Sequence, residues 1–173
     1  LVVCPSGLKS NWKSEFDTWA PELAVQVVHG SPTLREKQWS GPSHVLIANY
    51  ELIHNDGDIM PDRPLDLMVL DEAHRVKNGD TLTARAIRAV PRGAAGCLTG
   101  TPIENSLADL ASIMRLAAPG IRLPEGSTPE GARATFAPIM LRRDKEEVLK
   151  DLPPKDIRVA RLDRTEAQRT AYE

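Results

Sequence analysis

Asp71 and Glu72 stand side by side directly after the apolar run Leu67-Met68-Val69-Leu70, inside the stretch LDEAHRVKN. The run reads as a fully buried strand, so two carboxylates at its end need a physical reason. In open parallel α/β sheets the ligand cleft lies beyond the carboxyl ends of the strands, and acids placed there face that cleft rather than the core. Hydrolysis of a nucleotide needs one carboxylate near Mg²⁺, a cation that prefers hard oxygen ligands and neutralises phosphate charge. Asp71 fits that requirement. It also needs a group that orients or deprotonates the attacking water, and Glu72, on the same strand end, fits that one. The same residues also suit a helix start, where acids complement the positive end of the dipole, so the pair alone does not decide.

A second stretch of the same kind follows about thirty residues later. After the apolar segment ending at Leu98 comes TGTPIEN, Thr99 to Asn105. Gly100 permits a close backbone approach, Pro102 stiffens the turn, and the hydroxyls of Thr99 and Thr101 offer adaptable hydrogen bonds near a phosphate. Alone, this is an ordinary strand-to-helix turn. Two such turns at one predicted rim favour a shared ligand.

The elements that must position these turns alternate between strands and helices. Leu1–Cys4, Val25–Val28, Val45–Ala48, Asp66–Leu70 and Ala94–Leu98 read as strands. Ser6 is expected to cap a helix with Leu8, Trp12, Phe16 and Trp19 on its apolar face. Ser31-Pro32 carries the cap-then-proline signal of a helix over Thr33–Trp39. Asn49 to Ile53 reads as a loop or helical turn. Asp80 opens a helix with Leu82, Ala86, Ile87 and Val90 on one face, and Asn105–Leu116 forms another, with Ser106 and Asp109 spaced as a capping box. Pro119-Gly120 stops it, and Ile121 to Gly131 reads as a surface loop or linker. The alternation predicts an α/β fold, a three-layer parallel sheet with helices on both faces.

Composition is compatible with that fold. The chain has 173 residues, 41% hydrophobic and 27% charged, enough to bury a sizeable core. Its net charge is −2 and its pI about 6.1, so any nucleic-acid contact must come from a local surface. No stretch approaches the ~18 apolar residues of a membrane helix, so no membrane partner is expected. Cys4 and Cys97 lie in apolar surroundings without C-x-x-C spacing, which reads as two buried thiols in a reducing compartment. The four histidines, His29, His44, His54 and His74, lack the close pairing a metal site needs.

Five segments in order carry a resemblance. LVVCPSGLKSNWKSEF, VLIANYELI, MVLDEAHRVKN, CLTGTPIEN and IMLRRDKEEVLKDLPPK resemble the consecutive motifs of the Swi/Snf-type family of DNA-translocating ATPases, within the superfamily-two helicases. Thr-Gly-Thr-Pro followed by Ile-Glu-Asn points to that type, because DEAD and DEAH RNA helicases carry Ser-Ala-Thr there. The resemblance implies a RecA-like lobe of P-loop NTPase type. It implies that Asp71 binds Mg²⁺ through water, that Glu72 is the catalytic base for ATP hydrolysis, and that His74, Thr99, Gly100 and Thr101 couple nucleotide state to DNA grip. It also implies that Pro5, Ser6 and Gly7, with Lys9, contact the DNA backbone. Ala48-Asn49-Tyr50-Glu51 resembles a further DNA-contacting motif that usually carries Thr at one of its first positions, so Asn49 and Tyr50 are candidate contacts, Tyr50 equally a packing residue. Arg142-Arg143 resembles a basic stretch near the interlobe junction and suits equally well a solvated charge run with Lys145, Glu146 and Glu147.

ATP binding in this class needs G-x-x-x-x-G-K-[ST]. The 173 residues contain none, and PSGLKS at Pro5–Ser10 lacks the first glycine and the Gly-Lys step. The resemblance therefore implies a fragment: residues 1–143 as a partial first lobe lacking its P-loop strand, and 144–173 as the interlobe linker and start of the second lobe. There, Asp156–Leu162 would be a strand and Thr165–Glu173 a helix. ATP and Mg²⁺ are the cofactors expected of the parent, double-stranded DNA read without sequence preference its partner, and negligible ATPase activity the expectation for the piece alone. The missing strand would leave Ala94–Leu98 as an exposed edge open to non-native dimerisation. A non-catalytic DNA-binding or regulatory module, or a strand-separating helicase of another branch, are the alternatives. The expected location is intracellular, cytoplasmic at the nucleoid in a bacterium and nuclear in a eukaryote.

Overall fold

A computed structural model describes residues 1–60, 64–100, 107–124 and 126–143. Five parallel strands form one sheet: β1 (Val2–Cys4), β2 (Val25–Val27), β3 (Val45–Asn49), β4 (Leu65–Asp71) and β5 (Arg92–Leu98), in the order β2-β3-β1-β4-β5. Six helices accompany them: α1 (Lys9–Trp19), α2 (Pro32–Ser40), α3 (Tyr50–Asn55), α4 (Leu82–Ala89), α5 (Leu107–Ala117) and α6 (Pro129–Phe136). Short 3-10 turns, Ser6–Leu8 and Ala73–Val76, lie after β1 and β4. The β-strand, helix, β-strand alternation brings every strand's carboxyl end to one rim, because parallel neighbours need a crossover to return.

Period-two alternation splits the strand side chains between two cores. On one face Val3, Leu46, Ala48, Met68 and Leu70 pack with Trp39 of α2, Ile53 of α3, Ile87 of α4 and Ile113 of α5. On the other, Val2, Cys4 and Ile47 pack with Leu8, Trp12 and Phe16 at the start and along the inner side of α1. Helices thus cover both faces, as the alternation predicts. Each fully buried aliphatic side chain contributes about 1.5–3 kcal/mol, so the central strands β1, β3 and β4 anchor the sheet. A third cluster joins Leu110 and Met114 of α5 to Phe136 of α6.

The two faces are not equally covered. Leu67 and Leu98, on the α1 side, are 49% and 47% exposed, so the run preceding Asp71 is not buried on both sides as its composition suggests. Trp19 and Leu82, expected on apolar helix faces, are 80% and 61% exposed. Trp19 instead donates its indole N–H to Glu15 one turn back, a surface contact at 2.9 Å.

Several boundaries differ from the sequence reading for local reasons. Ser6 does not cap α1: it begins the 3-10 turn, and α1 starts after Leu8 without a side-chain cap. Ser31 does cap α2, its hydroxyl accepting from the Leu34 N–H, and Thr81, not Asp80, caps α4. The stretch read as a loop to Gly131 ends sooner, because Thr128 accepts from the Gly131 N–H and Pro129 opens α6. The capping box at Ser106 lies outside the described residues. β5 terminates the sheet order and pairs with β4 alone among the described strands, with Gly93, Ala94, Ala95 and Gly96 along its length.

Leu1–Met140 forms one compact unit and Leu141–Glu173 a second. Of the second unit only 141–143 are described, with Arg142 and Arg143 exposed. Lys145, Glu146, Glu147, the strand expected at Asp156–Leu162 and the helix expected at Thr165–Glu173 fall outside the described residues. No helix among the described residues is long and apolar enough to cross a membrane.

Candidate active site at the carboxyl rim

The register of the sheet brings the two chemical turns together. Asp71, the last residue of β4, pairs in register with Leu98, the last residue of β5, so Glu72 and Thr99 leave the sheet side by side. On the other side of β4, Cys4 ends β1 opposite Asn49 at the end of β3. Asp71, Glu72, His74, Thr99, Gly100, Pro5, Ser6, Gly7, Lys9, Asn49 and Tyr50 therefore all belong to one rim. Thr101 lies outside the described residues.

Asp71 is gripped by two donors from two different elements. Trp12 of α1 donates its indole Nε1–H to Asp71 Oδ2 at 2.9 Å. The Tyr50 hydroxyl donates to the Asp71 backbone oxygen at 2.7 Å. Oδ1 accepts no hydrogen bond among the described residues. Buried groups lie close to Asp71 on both faces of the sheet, Cys4 on the α1 side and Tyr50 on the other. Burial, reinforced by the Asp71 charge and opposed by Lys9, pushes the Cys4 thiol up to about 11. Burial likewise pushes Cys97 up to about 11, against the pull of Arg92, and raises the Tyr50 hydroxyl. Both cysteines are free thiols, Cys4 buried and Cys97 half-buried, in line with the sequence reading.

Glu72 occupies a left-handed backbone conformation, φ 54° and ψ 49°, and is the one non-glycine residue with positive φ among those described. Such a conformation costs about 1–3 kcal/mol and persists where neighbours over-determine it. Here the chain turns sharply from β4 into the Ala73–Val76 turn, whose Ala73 and Val76 are buried. The turn places Glu72 Oε2 at 3.1 Å from His74 Nδ1. Thr99 Oγ1 lies 3.5 Å from the same nitrogen. His74 thus stands between the acidic turn and the threonine turn, touching both.

The segments expected to face nucleic acid divide into two groups. Ser6 and Gly7 are exposed, and a Cβ built on Gly7 meets nothing within 4 Å, so the backbone of the turn is open to close approach. Lys9, the first residue of α1, has its Nζ donating to Val28 O at 2.9 Å and to Asn49 Oδ1 at 3.1 Å, tying the helix start to the ends of β2 and β3. Asn49 in turn donates to Glu51 Oε2 at 2.6 Å. That bond, with the charges of Arg75 and Lys9, holds the Glu51 carboxyl below the usual carboxylate range. Tyr50 is open in the sequence to either a DNA contact or packing. Its side chain is 2% exposed and its hydroxyl is committed to Asp71, while Arg75 sits over its ring with the guanidinium carbon 5.7 Å from the centroid. It is a packing residue at the rim, the other option its position allowed.

Trp12 is the rim residue that periodicity assigned only to the core face of α1. A buried indole N–H almost always finds a partner, and that is the one signal in the sequence that could have prompted a search for its acceptor.

A profile of the SNF2-related domain matches residues 1–123. The chain is 32% identical over 186 residues to the TATA-binding protein-associated factor MOT1 of Saccharomyces cerevisiae, covering 91% of this chain and 10% of that protein. It is 31% identical over 201 residues to the Chromodomain-helicase-DNA-binding protein 7 of Gallus gallus, covering 99% of this chain and 7% of that one. Among solved structures it is similar to the Sulfolobus solfataricus SWI2/SNF2 ATPase core in complex with dsDNA, with a TM-score of 0.69 and 28% identity over 88% of this chain and 35% of the other. The chain thus spans a small part of the relatives it matches.

Proposed function

The chain belongs to the SNF2-related domain family, and from that premise we propose that residues 1–143 are part of the first RecA-like lobe of an ATPase that moves along double-stranded DNA. Residues 144–173 then form the passage to a second lobe. The observation that carries the reading is the meeting of Glu72, His74 and Thr99 beside Asp71 at one sheet rim.

The rim suits a metal that arrives with phosphates. No group of three or more His, Cys, Asp or Glu among the described residues could cage an ion, while Asp71 keeps one carboxylate oxygen clear of hydrogen bonds. Mg²⁺ is commonly held by one or two carboxylates together with substrate phosphates, so Asp71 fits its role. When bound, the ion neutralises phosphate charge. Glu72 then orients the attacking water and takes its proton. The His74 ring fixes the Glu72 carboxylate and through Thr99 senses the neighbouring turn, and Gly100 and Thr101 share in that coupling. The buried Cys4 and Tyr50 near Asp71 lower the local dielectric, which strengthens each charge interaction there.

The exposed Pro5-Ser6-Gly7 turn lies against the DNA backbone, a contact that reads phosphate rather than base sequence. Lys9 and Asn49 support that surface from behind. The 173 residues by themselves turn over negligible ATP, because no phosphate-gripping G-x-x-x-x-G-K-[ST] is among them. In isolation the small-residue edge of β5 pairs with a second copy. The intracellular location inferred from the sequence goes with this reading, as does a nuclear or nucleoid site.

The test is made on the full-length protein, with duplex DNA, ATP and Mg²⁺, by two displacement assays. Release of a third strand from a triplex without unwinding of a forked duplex supports a double-strand translocase. Unwinding of the fork indicates a strand-separating helicase, and no DNA-stimulated hydrolysis indicates a non-catalytic module.

A further inference from the structure

The exposed Ser6–Gly7 turn and the Asn49–Tyr50 segment that backs it each send one aromatic donor to the same residue. The Ser6–Leu8 turn runs directly into α1, and the fourth residue of that helix is Trp12, whose Nε1 donates to Asp71 Oδ2 at 2.9 Å. Asn49 ends β3 and is followed at once by Tyr50, whose hydroxyl donates to the Asp71 backbone oxygen at 2.7 Å. Asp71 is thereby held through its side chain by one segment and through its main chain by the other.

We infer that Trp12 and Tyr50 are positioning residues that transmit displacement of the DNA-facing turn and of the segment behind it to the metal-binding carboxylate. The inference rests on the functional reading above. Three features support transmission rather than mere packing. The bond from Trp12 is to an ionised acceptor, a class about twice as strong as neutral hydrogen bonds. It occupies one carboxylate oxygen, and so fixes which oxygen is offered to an ion. The Ser6–Leu8 turn runs into α1 without an intervening residue, Lys9 both ending the turn and opening the helix, so a shift of the turn is passed directly to the helix that carries Trp12. Tyr50 is itself sandwiched, its ring lying under Arg75, which follows Glu72 and His74 in the acidic turn. A shift of α3 therefore reaches Asp71 through the hydroxyl and the acidic turn through the ring.

Coupling of this kind is a free energy shared between two ligands, and it is reciprocal. It is read as the ratio of the dissociation constants of a fluorescent Mg²⁺–ATP analogue without and with saturating duplex DNA, on the full-length protein. Wild type is expected to show a ratio of roughly fivefold or more, in the range usual for allosteric coupling. Tyr50→Phe keeps the ring, Trp12→Phe leaves a smaller aromatic ring, and both remove the donors. Each lowers the ratio, and the double variant brings it to within about twofold of one, with DNA affinity in the absence of nucleotide close to wild type. A purely structural role would lower the melting temperature and leave the ratio unchanged. Trp12→Phe, at a partly exposed position, carries the test alone should Tyr50→Phe unfold. A wild-type ratio retained in the folded variants overturns the inference. Glu72→Gln separates this failure from that of the functional reading: full hydrolysis by that variant sinks the reading itself, whereas a hydrolysis-dead variant beside an intact ratio sinks only the coupling.

Discussion

Arg35 and Asp56 meet as a two-pronged pair, the guanidinium Nε and Nη2 donating to different oxygens of the carboxylate, each at 2.7 Å, while Trp39 Nε1 adds a bond at 2.8 Å. The cluster joins α2 to the end of α3, the helix that begins at the rim with Tyr50. Asp56 is 1% exposed. Burial alone would raise its carboxyl, but the hydrogen bonds from Arg35 and Trp39 and the Arg35 charge overcome burial and hold it below the usual range. Its folded value is therefore depressed. The stability it contributes is present above the unfolded value near ~3.9 and is lost as pH falls through the folded value. Asp56→Asn should cost roughly 2–4 kcal/mol at pH 7. Urea unfolding across the acid range should show that difference shrinking as pH drops below the carboxylate range.

Lys9 spends its ammonium group on Val28 O and Asn49 Oδ1. Lys9→Met should therefore lower stability by about 1–3 kcal/mol, the cost of leaving buried acceptors unpaired. The salt dependence of DNA binding by the full-length protein should keep its slope, since no phosphate contact is lost. A slope reduced by about one unit would instead place Lys9 on a phosphate.

Thr99 and Glu72 both approach His74 Nδ1, at 3.5 and 3.1 Å. His74→Ala in the full-length protein should reduce DNA stimulation of hydrolysis by roughly fivefold or more. Nucleotide affinity without DNA should change little. Steady-state ATPase rates with and without duplex, beside equilibrium nucleotide binding, separate the two quantities.

Cys4 and Cys97 are both pushed up to about 11, chiefly by burial. At pH 8 only about one thiol in a thousand is then ionised, so alkylation of the folded chain should be slow and should accelerate on adding urea. Because the folded values lie above the unfolded value of about 8.5, the stability these thiols contribute is complete below that pH and is lost as pH rises toward the folded values. Mass spectrometry after iodoacetamide pulses at increasing pH measures both effects.

Much of the fold was legible because parallel strands announce themselves as short apolar runs between helical periods. Val45–Asn49 and Leu65–Asp71 were found within a residue of their bounds. The rim was legible because position after a strand fixes which end a residue occupies. Periodicity could not show which ends of a helix face bury: Trp19 and Leu82 continue the apolar spacing but project beyond the sheet. Helix α6 was hidden by its own Pro and Gly and by the Pro, Gly and Ser of the loop before it, although Thr128-Pro129 carries the same signal that correctly opened α2. The left-handed Glu72 and the bonds to Asp71 depend on tertiary placement, which no local pattern encodes. The bonds that Lys9 and Asn49 make to Val28 and Glu51 were not legible, because polarity at a strand end does not reveal which neighbours meet it.

The most direct measurement is single-turnover ATP hydrolysis by full-length Glu72→Gln beside Asp71→Asn, with nucleotide binding followed in parallel. If the rim of β4 and β5 forms one hydrolytic centre, Glu72→Gln slows cleavage by about 100-fold or more while still binding ATP, as loss of a general base does. Asp71→Asn should weaken the Mg²⁺ dependence of binding as well. Cleavage by Glu72→Gln at the wild-type rate would contradict the assignment of this rim as the site of chemistry.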